Sequence, residues 1–120
     1  MNTQLTNQYM FLVRGPCKDH YSPEKMQGHM QEVFAWIDDL TKKGIFSAAQ
    51  PLTNEGKVVT GGNGVTVTDG IFAESKEAVG GFFIVHVPTM EEAVKIASES
   101  PMIKRGGALE VRQIAELKAE

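Results

Sequence analysis

Glu110 and Arg112 stand two positions apart in a segment, residues 108–114, whose apolar and polar residues alternate. Alternate side chains of a β-strand point to the same side of the sheet, so both charges would share one face. The same parity argument, applied to two other strand-like segments, directs Arg14 and His86 to that face. These four residues form the pocket that the sequence predicts.

The chemistry of this pocket follows from its residue types. Arg14 and Arg112 are suited to an anion, because a guanidinium presents a planar fork of N–H donors that matches a carboxylate or phosphate. Histidine is the side-chain type that gains and loses protons near neutral pH, so His86 is the candidate catalytic residue. Glu110 would be the negative charge between the two arginines. A structural alternative stays open, in which Glu110 and Arg112 pair with their own symmetry mates across a dimer.

A charged loop, residues 69–77, offers two further ligand-binding candidates. Asp69 precedes Gly70 in a dipeptide typical of sharp turns, where an aspartate accepts hydrogen bonds from nearby backbone N–H groups. Lys76 could hold an anionic ligand if this loop closes over the mouth of a cavity. The alternative for Asp69 is a purely structural role, in which its side chain only stabilises the turn. The alternative for Lys76 is a loop charge that is exposed to solvent and binds nothing.

The composition restricts the classes to which the chain can belong. Its 120 residues suffice for one domain, residues 1–120, with an ordinary core. The net charge of −3 and the lack of a basic block argue against nucleic acid as a partner. The single cysteine, Cys17, has no Cys or His at zinc-ligand spacing, so we expect no metal and a reducing, cytoplasmic setting. Neither a signal peptide nor a membrane-spanning helix is predicted, and hence no membrane partner.

The first third of the chain predicts a strand and a long helix. Residues 9–14 are apolar and aromatic and stop at a Gly-Pro pair, which is typical of a strand followed by a loop. Ser22 is a favoured N-cap, and Pro23 suits the first helical position. Apolar residues then recur at helical spacing at Met26, Met30, Val33, Ile37 and Leu40. Gly44 supplies a left-handed exit, so the helix is predicted over residues 23–43.

The remaining two thirds predict four more elements of the same kind and a hairpin. The first is a weak strand over residues 45–52, in which Pro51 indicates an edge or a bend. A hairpin of residues 58–60 and 65–68 around Gly-Gly-Asn-Gly follows, and then a strong strand over residues 81–87. The last two are a helix that is opened by a Thr89 and Glu92 capping box and ends at Ser100-Pro101, and the strand of residues 108–114. This order predicts an α+β fold, a ferredoxin-like βαββαβ sandwich with an inserted β-hairpin.

The two central strands are apolar on both faces. In the first strand Tyr9 and Phe11 oppose Met10 and Leu12, and residues 82–85 alternate in the same way. Two helices can cover only one face of the sheet, so the second apolar face needs another cover. A symmetric copy of the chain is the simplest cover, and we therefore expect a homodimer whose sheets pack face to face.

One motif resembles a known family. The segment Asp69-Gly70-Ile71-Phe72-Ala73-Glu74-Ser75-Lys76-Glu77, followed by Gly80-Gly81-Phe82, resembles the YCII-related proteins of the DGPF type, with Ile71 in place of the usual proline. The similarity continues through the Ser22-Pro23-Glu24 helix start, Ala35-Trp36-Ile37, Pro51-Leu52, and residues 105–112. It covers nearly the whole chain.

The resemblance implies a dimeric α/β barrel built from two ferredoxin-like halves. The broader group is thought to use a His on the first helix and an Asp before a Pro near the end of the second. Those places fall here near Val33 and at Ser100, neither of which can act as acid or base. His29 lies one helical turn before Val33, but it would need to face the cavity and would still lack its Asp.

Two main hypotheses of function follow. The first is a small-molecule enzyme or enzyme-like protein that acts without metal or cofactor on a small anionic or aromatic ligand in the cavity of the dimeric barrel. The second is a non-catalytic ligand-binding or regulatory dimer, which the missing His and Asp favour. A purely structural interaction module, with side chains filling the space between the sheets, is a third alternative.

Overall fold

The described part of the chain folds as a four-stranded antiparallel sheet with helices on one of its faces. The computed structural model describes residues 6–14, 22–53, 55–68 and 79–116. Its elements are β1 (Asn7–Arg14), α1 (Pro23–Lys42), β2 (Phe46–Pro51), β3 (Val58–Thr60), β4 (Thr66–Thr68), β5 (Val79–Val87), α2 (Met90–Ser98), α3 (Pro101–Lys104) and β6 (Ala108–Gln113). The sheet order is β2-β5-β1-β6, and β3 pairs with β4 in a separate hairpin.

This order confirms the ferredoxin-like α+β prediction, including the inserted hairpin. β2 is an edge strand, as Pro51 indicated, because proline cannot donate to a sheet ladder. The four strands of this sheet form an open sheet and not a closed barrel, since β2 and β6 are its two edges.

Both ends of α1 are built by the residues that predicted them. The Ser22 hydroxyl accepts a hydrogen bond from the Lys25 backbone N–H at 3.2 Å, and Pro23 follows at the first helical position. At the other end Gly44 has φ +76°, and the Ile45 N–H donates to the Leu40 carbonyl at 3.1 Å. This Schellman arrangement satisfies carbonyls that would otherwise lack a partner at the helix end.

The core lies between the helices and one face of the sheet. Tyr9, Phe11 and Val85 are almost completely buried there. Trp36 of α1 fills the space above the sheet, with its ring 5.0 Å from that of Phe83 in an edge-to-face arrangement and 6.5 Å from that of Phe11. The strand residues of this face are therefore shielded by the helices.

The chain after α2 differs from the sequence-based prediction. The Ser100-Pro101 pair does not only end a helix, because it also opens the short helix α3. The Ser100 hydroxyl accepts a hydrogen bond from the Ile103 N–H at 3.4 Å, and Pro101 is the first helical residue. This turn brings the chain back to β6 at the edge of the sheet.

Within the described residues, no helix lies over the opposite face of the sheet. The shortest principal dimension of the molecule is 18 Å, which accommodates one sheet and one helix layer at about 10 Å each. The strand register places Met10, Leu12, Phe82 and Ile84 in the centre of this open face. All four are half-buried.

Candidate functional site

Arg14, Glu110 and Arg112 come together on the open face. Arg14 pairs in register with Ala108 across β1 and β6, Leu12 pairs with Glu110, and Met10 pairs with Arg112. The three charged side chains therefore occupy successive positions on the same side of two adjacent strands, as their parity predicted.

Glu110 lies between the two guanidinium groups. Its Oε1 is 3.2 Å from Arg14 Nη1, and its Oε2 is 3.4 Å from Arg112 Nη1. The side chains of Arg14, Glu110 and Arg112 are 28%, 38% and 69% exposed, so the cluster is half-buried at one end and open to solvent at the other. Among the described side chains of this cluster, two guanidinium groups and one carboxylate give a formal charge of +1 beside an apolar surface, which favours an anion.

His86 lies elsewhere on the same face. It pairs with Gln8, six positions along β1 from Arg14, which separates the two by about 20 Å at the rise of a strand. Alternation fixes the face of a strand residue but not its position along the strand, so the sequence could not detect this separation. The four-residue pocket predicted for one chain is thus a three-residue cluster with His86 at the other end of the sheet.

The His86 ring is held by the exit of α1. Its Nε2 is 2.9 Å from the Gly44 carbonyl oxygen. A carbonyl can only accept, so Nε2 carries the proton and donates this bond, which leaves Nδ1 as the nitrogen able to accept a proton. The backbone N–H of His86 also donates to the Ile45 carbonyl, at 2.9 Å. The imidazole is therefore oriented at the edge between β5 and the start of β2.

The other candidate residues have different positions. Asp69 and Lys76 lie outside the described residues, so their roles stay predictions. Val33 and Ser100, at the places expected for the acid-base pair of the broader family, are both buried. The Ser100 hydroxyl caps α3. His29 is buried on the same stripe of α1 as Val33 and so faces the helix-covered side of the sheet rather than the open face.

Two glutamines of the open face were missed by the sequence analysis. Gln8 pairs with His86 in register, and Gln50 pairs with Phe82. The alternation of side chains along a strand could have identified both. Gln8 was missed because the first strand was predicted to begin at Tyr9, and Gln50 because the pattern of the second strand was weak. Their amides extend the polar rim around the apolar centre of this face.

Two other kinds of site are absent from the described residues. Among the described ranges, no three His, Cys, Asp or Glu side chains group in a way that could hold a metal ion. None of the helices in the described part of the chain combines the length and apolar character needed to span a membrane.

A family model described as the YCII-related domain matches residues 7–118. The chain belongs to the YCII-related family. One solved structure similar to this YCII-related chain is 5-chloro-2-hydroxyhydroquinone dehydrochlorinase from Burkholderia phenoliruptrix AC1100, in complex with 2,5-dihydroxybenzoquinone. The match covers 92% of this chain and 94% of that chain, with a TM-score of 0.50 and 17% sequence identity, and at that identity the likeness concerns the fold. No curated protein matches the chain significantly.

Proposed function

We propose that this YCII-related chain forms a homodimer through its open sheet faces and holds a small organic anion at the end of the sheet where Arg14, Glu110 and Arg112 meet. The observation that carries this proposal is the net positive cluster on a half-buried apolar face. A second sheet above it would exclude water and strengthen the attraction between the cluster and an anion.

Arg112 is the residue most available to a ligand. Only its Nη1 contacts Glu110, and the side chain is 69% exposed. A guanidinium has five N–H donors, so most of those on Arg112 can still bind a carboxylate or an acidic hydroxyl. Glu110 would hold both arginines in position while the ligand binds.

The apolar neighbours of the cluster define the rest of the ligand. Leu12 pairs with both Glu110 and Phe82, so an anion at the cluster would have its organic part against these two apolar side chains. A flat surface of this kind suits a planar, aromatic-like body. The hydroxyquinone bound to the structurally similar dehydrochlorinase is a ligand of that shape, and it supports the choice of hydroxyquinones and aromatic acids as probes.

A second candidate function is cofactor-independent catalysis by proton transfer. It is favoured by the orientation of His86, whose Nε2 is bound to the Gly44 carbonyl while Nδ1 can accept a proton. Within one chain His86 is too far from the Arg14 cluster to act on a ligand there. Catalysis at that cluster would therefore need His86 of the partner subunit, or a ligand that lies nearer the other end of the sheet.

The binding proposal is tested by calorimetric titration with benzoate and with 2,5-dihydroxybenzoquinone. We expect Arg112→Gln and Arg14→Gln to weaken binding by about tenfold to a hundredfold, the usual effect of losing a hydrogen bond to a charged group. Arg105→Gln is the matched control, because Arg105 contacts Glu32 between α1 and α3 and lies off the open face. Equal loss in all three variants, or no binding of either probe to the wild-type protein, would contradict the proposal.

Catalysis is distinguished from binding by an assay for turnover of the same probes and of one chlorinated hydroxyquinol. Turnover by the wild-type protein would be detected as release of chloride or as a change of the ring absorbance. If His86→Ala abolishes this turnover but still binds the probes, His86 has an enzymatic role. Binding of the probes without turnover in the wild-type protein would favour the non-catalytic dimer.

A further inference from the structure

The β3–β4 hairpin presents valines to solvent on one of its faces. Val59 and Val67 are cross-strand partners and so share a face, and Val65 has the same parity as Val67. These three side chains are 65%, 56% and 77% exposed. Every strand residue of the hairpin is exposed. The hairpin thus has an apolar face that nothing in the described part of the chain covers.

An isolated hairpin of this kind would be unstable in water. Two strands without a third strand or a packing partner are marginal at best. Residues 58–68 contain no charged side chain, so neither edge carries the lysine that commonly protects an exposed strand. An apolar and uncharged hairpin therefore needs a cover that is also apolar and uncharged.

The surface of this chain that meets this need is its own open sheet face. The centre of that face, formed by Met10, Leu12, Phe82 and Ile84, carries no charge. The outer surface of α1 is different, since exposed ion pairs join Asp38 to Lys42 and Asp39 to Lys43. The hairpin does not fold back onto its own sheet, because its strands are exposed throughout. A second copy of the chain offers the same apolar surface without that restriction.

The size of the sheet supports the same partner. Four strands about 4.8 Å apart, with about six residues each, give a projected face of roughly 400 Å². A standard protein interface buries about 800 Å² on each partner. Packing of the two sheets alone gives a small interface, and two hairpins, one from each chain, would enlarge it. The hairpin is inserted between β2 and β5, whose Pro51 and Val79 ends lie at the same end of the sheet as Arg14.

We infer that the β3–β4 hairpin is an arm that each protomer lays on its partner at the margin of the contact between the two open sheet faces, with the Val59, Val65 and Val67 face inward. This inference depends on the proposed dimer and adds to it. Each arm leaves its own sheet at the Arg14 end, and in crossing to the partner it helps to close the space between the two sheets, in which the Arg14, Glu110 and Arg112 cluster lies. The proposed anion site is then incomplete in a single chain.

Sedimentation equilibrium of a double variant tests the arm. Val59→Thr with Val67→Thr keeps the β-branched shape of both side chains but replaces a methyl group by a hydroxyl. Because each dimer contains two arms, we expect the dissociation constant of the dimer to rise about tenfold or more. Val58→Thr is the matched control, since Val58 pairs with Thr68 on the other face of the hairpin, and it should leave the constant within about twofold.

Hydrogen exchange provides a second measurement that needs no arm variant. Amides of residues 58–68 should exchange more slowly in the wild-type dimer than in a monomeric variant such as Ile84→Lys. Equal exchange in the two proteins would overturn the arm.

The outcomes separate the arm from the dimer. A wild-type dimer that is unaffected by the double threonine variant would refute the arm and leave the proposed dimer intact. A wild-type monomer at tens of micromolar would refute both. If the double variant splits a larger assembly into intact dimers, the hairpin joins dimers and the arm as proposed is also wrong.

Discussion

Gly81 of β5 lies close to the backbone of β2, and the addition of a single methyl group tests whether this close approach is needed. A Cβ at this position would be 2.9 Å from the Gln50 carbonyl oxygen and 3.2 Å from the Pro51 Cα. Both neighbours are backbone atoms and cannot rotate away, so Gly81→Ala must displace the edge strand. We expect a loss of roughly 1–3 kcal/mol in the free energy of unfolding, as for other overpacked sites.

Gly80 is the control for this substitution, because it precedes Gly81 in the same strand and has space. The nearest atom to a Cβ there is Val13 Cγ1, at 3.9 Å. Gly80→Ala should be neutral or stabilising by up to about 1 kcal/mol, since alanine has less freedom in the unfolded chain. Urea denaturation of both variants measures the difference, and equal effects would show that the β2–β5 approach does not require Gly81.

At the residue scale, the sequence predicted the face of the sheet on which each candidate residue lies, but not its position along the sheet. Arg14, Glu110, Arg112 and His86 all lie on the predicted face, because the two-residue period of a strand is fixed by the backbone. The register between strands depends on long-range pairing that a single strand does not encode. For that reason the separation of His86 from Arg14 became visible only when β1 and β5 were paired.

At the element scale, α3 shows a signal that was present and misinterpreted. Ser100-Pro101 has the same residue types as Ser22-Pro23, and each serine caps a helix. The first pair opens a helix of twenty residues, over which a helical period of apolar residues is visible. The second pair opens a helix of only four residues, which are too few for a period to be recognised. The longer elements were predicted to within a few residues because their patterns repeat.

The cap of α3 can be tested by removing one hydroxyl. Ser100 is completely buried, and its hydroxyl accepts the Ile103 N–H. Ser100→Ala removes this acceptor and should lower the free energy of unfolding by about 1–2 kcal/mol. Ser98→Ala is the control, because the exposed Ser98 hydroxyl only donates to the Val94 carbonyl within α2, and it should change stability by less than about 0.5 kcal/mol. Thermal unfolding followed by circular dichroism compares the two, and a Ser100→Ala variant as stable as Ser98→Ala would show that the cap contributes little.

At the scale of the whole molecule, the open face connects the fold to the proposed site. The sequence predicted strands that are apolar on both sides, and within the described part of the chain the helices cover one side. Burial by a second copy would also enclose the charged cluster at one end of the sheet. The proposed dimer and the proposed anion site therefore depend on the same four apolar side chains at the centre of the face.

Ile84 is the position at which to test this dependence. It pairs with Met10 on one side and with Ala48 on the other, in the middle of the open face. Ile84→Lys places a charge where two sheets would meet, and an unpaired charge at the centre of an interface is strongly unfavourable. In a single chain the lysine can extend its ammonium group into water, so the monomer should still fold. We expect sedimentation velocity to show a dimer for the wild-type protein and a monomer for this variant, with similar circular dichroism spectra.

Val94→Lys is the control, because it adds the same charge at an exposed position on α2 and should remain dimeric. A dimer that survives Ile84→Lys but not Val94→Lys would move the interface to the helix side and separate it from the Arg14 cluster.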